Sequence, residues 1–590
     1  MKRREFFRRS GTAGSLLAGT QLVQIVRPDA AKAAPADAGG GKPLVSICGS
    51  NDPQLRNPAP LGEHLTTGQV RDVVWLALDR DTSPGNLRQI VKKDSWVILK
   101  PNIVTCNAPS MNDFPAEGVL HYGLITDLRV MKAIAEYLVE KVGPKRISIA
   151  EGGVWPTVGE KGRQGQVYTV DGWNCTYEEF GGLSYRGIAA ELNGKQKTTN
   201  VDIIDLEEDQ GVYVKITDPH DTGIVSYQDV TPGNKDGTSK DKWSKRQGFS
   251  VSKSVIDCDV LISVPVMKTH SSAGVTLCLK NLMGCLHSPS YGIKRSKAPV
   301  HQGSQLGLIR GIADLSCVLA PDYAVVESFW GTETQHLGQN GVNLNHNVVV
   351  AGRDVVSVEA VTHLVMGFNP LDSDLLRMMN RKKMGEWNPD SITISGPPVK
   401  SLSRNFIRAA NTYFARGVRK WLIAGPLPKP LEKAAELKPV QGDSLTGASW
   451  TLLDGDEIID AGVNVSTPFL LQKCLMYGIP GSDKASEGSI YYLALRILTP
   501  RKDLCGQLLV GLEGGELKAF YNGRPVNFDR DPVPYNPTPI PFIKLLEGEN
   551  MLVLELKKGK GDGNLKLAAN VCDLDGDRLP DITYVPKGEG

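Results

Sequence analysis

The chain reads as an α/β domain with a mostly parallel sheet and flanking helices, followed by an all-β sandwich of jelly-roll type. Three observations lead there. Between residues 95 and 151 two short apolar strands bracket a segment of helical period, the order that makes a βαβ unit and a parallel sheet. Residues 260–266 form an apolar run, as expected of a strand buried on both faces. After about residue 448 the texture changes to short strands separated by turn residues, which suits a sandwich.

The first 33 residues read as an export signal. Arg3-Arg4-Glu5-Phe6-Phe7-Arg8 has twin-arginine character, residues 11–26 are modestly apolar, and Ala31-Lys32-Ala33 supplies a small-x-small cleavage site. The expected partner during export is the twin-arginine translocase, and the expected location is periplasmic or extracellular. Residues 34–43 are a linker. The signal's apolar part is short and rich in Gly, Thr and Gln. No later stretch approaches the ~18 apolar residues of a spanning helix, so no stable membrane span is expected.

The α/β domain is placed at 44–399. Residues 95–99 form a strand ending at Lys100-Pro101-Asn102. Thr126 is the expected N-cap of a helix in which Met131, Ile134, Ala135 and Leu138 recur at helical spacing, and Gly143-Pro144 stops it. Residues 146–150 are the next strand, ending at Glu151-Gly152-Gly153. Residues 154–250 are polar and irregular, partly an insertion over the sheet, with one strand at 201–206. After the strand at 260–266 come a helix at 306–319 ended by Pro321, strands at 323–327 and 347–351, and a helix at 355–366 closed by Gly367.

Residues 400–440 are expected to hold a basic helix, with Arg404, Arg408, Arg416 and Arg419 on a solvated face. A semi-rigid Pro-rich linker follows around Gly425-Pro426-Leu427-Pro428. The sandwich is placed at 441–590, with strands at 491–497, 508–512, 517–521, 551–556 and 565–571 and a hairpin turn at Asn522-Gly523.

Composition narrows the function classes. A chain of 590 residues holds two or more domains, and 41% hydrophobic with 22% charged residues suits a full core. Net charge is +2, but the first 33 residues carry seven Lys/Arg against two acids, which leaves the rest near −3. Without a global polycation, nucleic acid is not expected as a partner. The ten cysteines include no C-x-x-C pair, so neither a ferredoxin-type cluster nor a zinc ribbon is supported. Most should be buried thiols, with room for a disulfide or two in an oxidising compartment. The nine histidines form no H-E-x-x-H or H-x-H pattern, with His287, His301, His336 and His346 in loops. No metal is assigned, and no cofactor is identified.

The run at 260–266 empties into Lys268, Thr269 and His270, and Lys280 and Asn281 follow ten residues on. A buried strand of an α/β sheet opens at its carboxyl end onto a crevice, the usual place for a ligand. Lys268, His270 and Lys280 are the candidate catalytic residues. His270 offers an acid/base, and a lysine among cations offers a base or nucleophile. Lys100, Asn102, Glu151 and Asn281 are the candidate ligand-binding residues. Three ammonium groups in one crevice call for an anion such as phosphate or carboxylate. The alternative is that the lysines pair with structural acids such as Glu151, Asp257 or Asp259. Asp573, Asp575, Asp577 and Asp581 have the spacing of a calcium loop, but the stretch lacks an EF-hand's terminal Glu, and the last turn of the sandwich is the preferred reading.

Lys268-Thr269-His270 with Lys280-Asn281, together with Lys100-Pro101-Asn102 and Glu151-Gly152, resembles the signature of domain-of-unknown-function family 362 (DUF362). Segments 308–327 and 348–367 resemble that family's later helices and strands, so the resemblance covers roughly 45–400. Glu327 and Glu359 stand where the family usually has Asp, and the ferredoxin insert of some members is absent. The resemblance implies a fold and a site more than a reaction. The Asn-Gly hairpin, residues 548–553 and the Asp-Gly turn resemble a galactose-binding-like module, which implies carbohydrate binding or inter-domain packing. The expected function is an exported enzyme acting on a small anionic substrate in a Lys/Asn/His-lined crevice. The alternative is a non-catalytic periplasmic or cell-surface binding protein whose sandwich recognises carbohydrate.

Overall fold

The computed structural model describes residues 41–103, 122–152, 171–216, 248–270, 272–292, 300, 305–334, 341–409, 417–461, 465–466, 476–499, 504–528, 542–561, 563–572, 579 and 582–585. The signal at 1–33, most of the linker, Arg416, His301, His336 and the aspartates 573–581 fall outside them. The chain divides into two units, Met1–Ala410 and Asn411–Gly590.

In the first unit the strands are β1 (Leu44–Gly49), β2 (Trp96–Pro101), β3 (Arg146–Glu151), β4 (Asn200–Asp205), β5 (Gly211–Lys215), β6 (Gly248–Ser252), β7 (Val260–Val264), β8 (Val266–His270), β9 (Gly274–Thr276), β10 (Tyr323–Glu333), β11 (Val342–Leu344), β12 (Val348–Gly352) and β13 (Thr393–Ser395). The main sheet runs β13-β1-β12-β10-β7-β2-β3-β4. It is parallel throughout except for β12, which is antiparallel to both neighbours. All six residues of β2 and all five of β7 are buried, the pattern of central strands covered on both faces. On one face Val97, Leu99, Ile147, Ile149, Ile262 and Val264 join the core formed with the helices Thr67–Arg80 and Leu128–Lys141.

Several boundaries differ from the sequence reading. The N-cap of Leu128–Lys141 is Asp127, whose carboxylate accepts from Arg129 N at 2.8 Å. Thr126, an equally good cap type, accepts from Asn102 N at 2.8 Å and donates to Val264 O at 2.6 Å, tying the end of β2 to the end of β7. A helix, Tyr185–Lys195, lies in the stretch read as irregular. Its apolar stripe is only Tyr185, Ile188, Ala189 and Leu192 on an otherwise polar segment, but Ser184 caps it and the spacing is helical. The strand read at 260–266 is two. Beyond Pro265 the chain leaves β7 and pairs as β8 farther along the long strand β10.

The second unit is built from antiparallel sheets. A seven-stranded sheet runs Thr451–Asp454, Lys420–Leu427, Ile490–Thr499, Gly548–Lys558, Gly515–Tyr521, Arg524–Val526, with Thr583–Val585 beside Ile490–Thr499. A five-stranded sheet holds Leu504–Glu513 and Lys566–Cys572. Every strand expected after 448 is present. Asn522 and Gly523 turn the hairpin with φ of 48° and 77°, as a primed turn requires.

The reading of 400–440 is corrected. Its described helices are the single turn Val399–Leu402 and the 3₁₀ turn Ala434–Glu436, so Arg404 and Arg408 lie on no helix, and Arg419 is buried. The Gly-Pro stretch belongs to the strand Lys420–Leu427. Pro426 falls at an irregularity between the pairs at Ala424 and Leu427, where its missing N–H costs no ladder bond. No helix among the described residues is long and apolar enough to cross a membrane.

Candidate functional site

Strands β2, β3 and β7 lie side by side and end together, with Lys100 opposite Ser263 in register. Their polar residues therefore meet just where the apolar runs stop. Lys100 is fully buried, and its Nζ donates to Glu151 Oε2 at 2.5 Å, Pro101 O at 2.7 Å and Asn281 Oδ1 at 3.3 Å. Those are three acceptors, one of them a carboxylate, for the three N–H bonds of an ammonium. Glu151 is held further by Ile103 N at 3.2 Å and Gly152 N at 2.8 Å.

Asn281 sits at the end of the short helix Cys278–Asn281. Its Nδ2 donates to Lys100 O at 2.9 Å and Ser263 Oγ at 3.1 Å, which leaves Oδ1 to accept from Lys100 and from Asn102 Nδ2 at 3.2 Å. Asn102 is thereby turned so that its Oδ1 accepts from Lys268 Nζ at 2.5 Å. The other acceptor of Lys268 is Leu124 O at 2.7 Å. Sequence-predicted Lys100, Asn102, Glu151, Lys268 and Asn281 thus form one connected network.

The two remaining candidates stand differently. His270 Nδ1 accepts from Ser272 N at 3.0 Å and Ala273 N at 3.1 Å, so this nitrogen shapes the turn from β8 to β9. Lys280 is partly buried, and its charge is the strongest charge effect acting on Lys268. Of the acids offered as structural partners, Glu151 pairs with Lys100. Asp257 pairs with Lys253, and Asp259 accepts from Trp96 N at 2.7 Å.

Lys268 is 1% exposed and its pKa lies well below the usual lysine range. Burial is the largest cause. The cations Lys280 and Lys100 act in the same direction, and Glu151 and Glu327 oppose them. Glu327, buried beside Asp127, is itself pushed well above the usual carboxylate range, so its opposing charge is weakened.

Sequence reasoning passed over three parts of the site. Gly284 lies against the Lys100–Glu151 pair, where a Cβ would stand 2.5 Å from Lys100 Nζ. Glu327 accepts from Asp127 N at 3.1 Å and Phe329 N at 3.0 Å, joining β10 to the start of Leu128–Lys141. Glu359, on the helix Val355–Val365, accepts from Leu279 N at 2.9 Å and so fixes the turn that carries Lys280 and Asn281. Only the glutamates left a trace in the sequence, as departures from the family pattern.

Burial pushes Glu359 from 4.5 up to about 8. The native state then holds that proton more tightly than the unfolded chain, so stability falls as pH rises from about 4.5 to about 8. Glu359→Gln keeps the acceptor and removes the titration. Urea unfolding should show this component of the pH slope, about 1.4 kcal/mol per pKa unit, in the wild type and not in the variant. Among the described residues no group of three or more His, Cys, Asp or Glu is placed to hold a metal ion.

The fold and network define the class, an α/β protein with a buried lysine–asparagine cluster at its strand ends. A family model described as "Domain of unknown function (DUF362)" matches residues 221–363, which include Lys268, His270, Lys280, Asn281, Glu327 and Glu359. A thylakoid-associated protein of Synechocystis sp. is 22% identical over 316 residues, 53% of this chain and 75% of that protein.

Proposed function

We propose that this protein is an exported enzyme acting on a small anionic substrate at Lys268. The observation that carries this reading is the unequal treatment of two buried lysines. Lys100 meets three acceptors including a carboxylate, as an ammonium needs. Lys268 meets two, Asn102 Oδ1 and Leu124 O, both neutral. A neutral amine has two N–H bonds and a lone pair, and this environment suits it. Such an amine takes a proton from a substrate or adds to an electrophilic carbon. Asn102, oriented by Asn281 and the Lys100–Glu151 pair, holds it in place, and the nearby charge of Lys280 favours an anion.

Export is supported by the twin-arginine character of residues 1–33 and by Cys175, which is disulfide-bonded. Periplasmic or extracellular location follows from the same reading, with the twin-arginine translocase as partner. The second unit, by this reading, is a galactose-binding-like sandwich module that accompanies the enzyme.

The test is a thermal-shift panel of small carboxylates and phosphates on the wild type and Lys268→Met. A ligand that stabilises the wild type should lose most of that stabilisation with Lys268→Met, which removes the amine that takes its proton or adds to it. The variant itself should cost about 2–6 kcal/mol, because it strands two neutral acceptors at ~1–3 kcal/mol each. Equal stabilisation of both proteins, or no effect from any anion, contradicts the reading.

A further inference from the structure

We infer that the substrate is a small α-oxo carboxylate, that Lys268 adds to its carbonyl carbon, and that the hydroxyls of Thr276 and Thr332 receive its oxygens. This rests on the reading of Lys268 as the reacting group. In the β8–β10 pair Lys268 lies opposite Thr332, and in the β8–β9 pair it lies opposite Thr276. Residues paired in this way project to the same face, so the three side chains leave the sheet side by side. All are buried, at 0%, 1% and 1% exposure in the order Thr332, Lys268, Thr276.

Neither threonine Oγ1 has a hydrogen-bond partner. Buried polar groups are almost always satisfied, because an unsatisfied one costs the desolvation of the group. Two such hydroxyls on the sheet face that carries Lys268 point to a ligand that supplies what they lack. The Thr332 hydroxyl lies against Gly123, and the next residue, Leu124, supplies the carbonyl that accepts from Lys268. Hydroxyl and amine therefore face the same turn. With both N–H bonds of the amine directed to Asn102 Oδ1 and Leu124 O, the lone pair takes the remaining tetrahedral direction.

Hydroxyl donors suit an oxyanion, and an amine with a lone pair suits an electrophilic carbon. A carbonyl next to a carboxylate offers both on adjacent atoms, and the burial of all three side chains restricts the ligand to a small one. The step balances without an oxidant. The amine nitrogen bonds to the carbonyl carbon as the C=O π pair moves to oxygen. Two amine protons then leave with that oxygen as water, and an imine remains.

The probe is glyoxylate with cyanoborohydride as hydride donor, applied to the full exported chain at neutral pH and followed by peptide mass mapping. Lys268 should gain a carboxymethyl group faster than the exposed Lys195, by about tenfold for each pKa unit that separates them. Lys195 is the control because its ion pair with Glu191 raises its pKa. Thr276→Val and Thr332→Val should each lower Lys268 labelling about tenfold, the worth of a hydrogen bond to a charged group, with Tm unchanged or raised.

Labelling of Lys195 with Lys268 untouched overturns the inference. A second arm separates the two readings. Acetate carries the carboxylate without a reactive carbonyl, and its effect on the NMR signal of the Lys268 side chain is measured directly. An acetate response without a glyoxylate adduct leaves the anion site standing and removes the imine. Absence of both removes both, and an adduct supports both.

Discussion

Lys100→Met is expected to destabilise the first unit by about 3–5 kcal/mol, the cost of leaving one partner of a buried ion pair uncompensated. Lys100 and Glu151 have side-chain exposures of 0% and 2%, so water cannot replace the lost partner. Urea unfolding of the variant measures the loss. Adding Glu151→Leu should recover part of it, since a buried pair replaced on both sides is often near neutral. Recovery stays partial because Ile103 N and Gly152 N then lose their acceptor. A loss below ~1 kcal/mol for Lys100→Met alone would place this pair with exposed ion pairs and contradict its burial.

Gly284→Ala should cost about as much by a different route. The added methyl would stand 2.5 Å from Lys100 Nζ and 2.7 Å from Lys100 Cε, and closer still to Glu151 Oε1. Both side chains are pinned by other hydrogen bonds, so relief requires breaking the pair or moving the backbone at 284. Overpacking alone costs ~1–3 kcal/mol, and loss of the pair adds to it. The two effects share one contact, so Gly284→Ala in the Lys100→Met background should cost clearly less than in the wild type. Equal costs in the two backgrounds would mean that Gly284 acts elsewhere.

The positions of the network were legible because each of its lysines follows an apolar run. Lys100 and Glu151 fall at strand ends, which period alone locates, and Lys268 follows the apolar run although it lies inside β8. The division of labour among them was not legible. Whether a lysine is an ion-paired ammonium or a two-donor amine depends on which acceptors the fold brings to it. Leu124 O, Asn102 Oδ1 and Glu151 come from three separate segments. Thr276 and Thr332 carry no signal, because threonine is an ordinary strand residue and only register sets both beside Lys268.

In the fold itself, Thr126 and Asp127 are adjacent cap types, and sequence could not choose between them. The helix Tyr185–Lys195 was hidden by its polar surface. The Gly-Pro segment at 425–428 read as a linker because proline is expected to break a strand, whereas at a strand irregularity it is tolerated. The C-terminal strands were found because they alternate and end in recognisable turns.

The central claim is that Lys268 is a neutral amine, and its own titration is the most direct test. The protein is labelled with ¹³C,¹⁵N-lysine, and the Lys268 signal is assigned by its disappearance in Lys268→Met. A pH titration should place that signal well below the ordinary lysine value of ~10.4. A Lys268 signal titrating at or above the ordinary value would contradict the account.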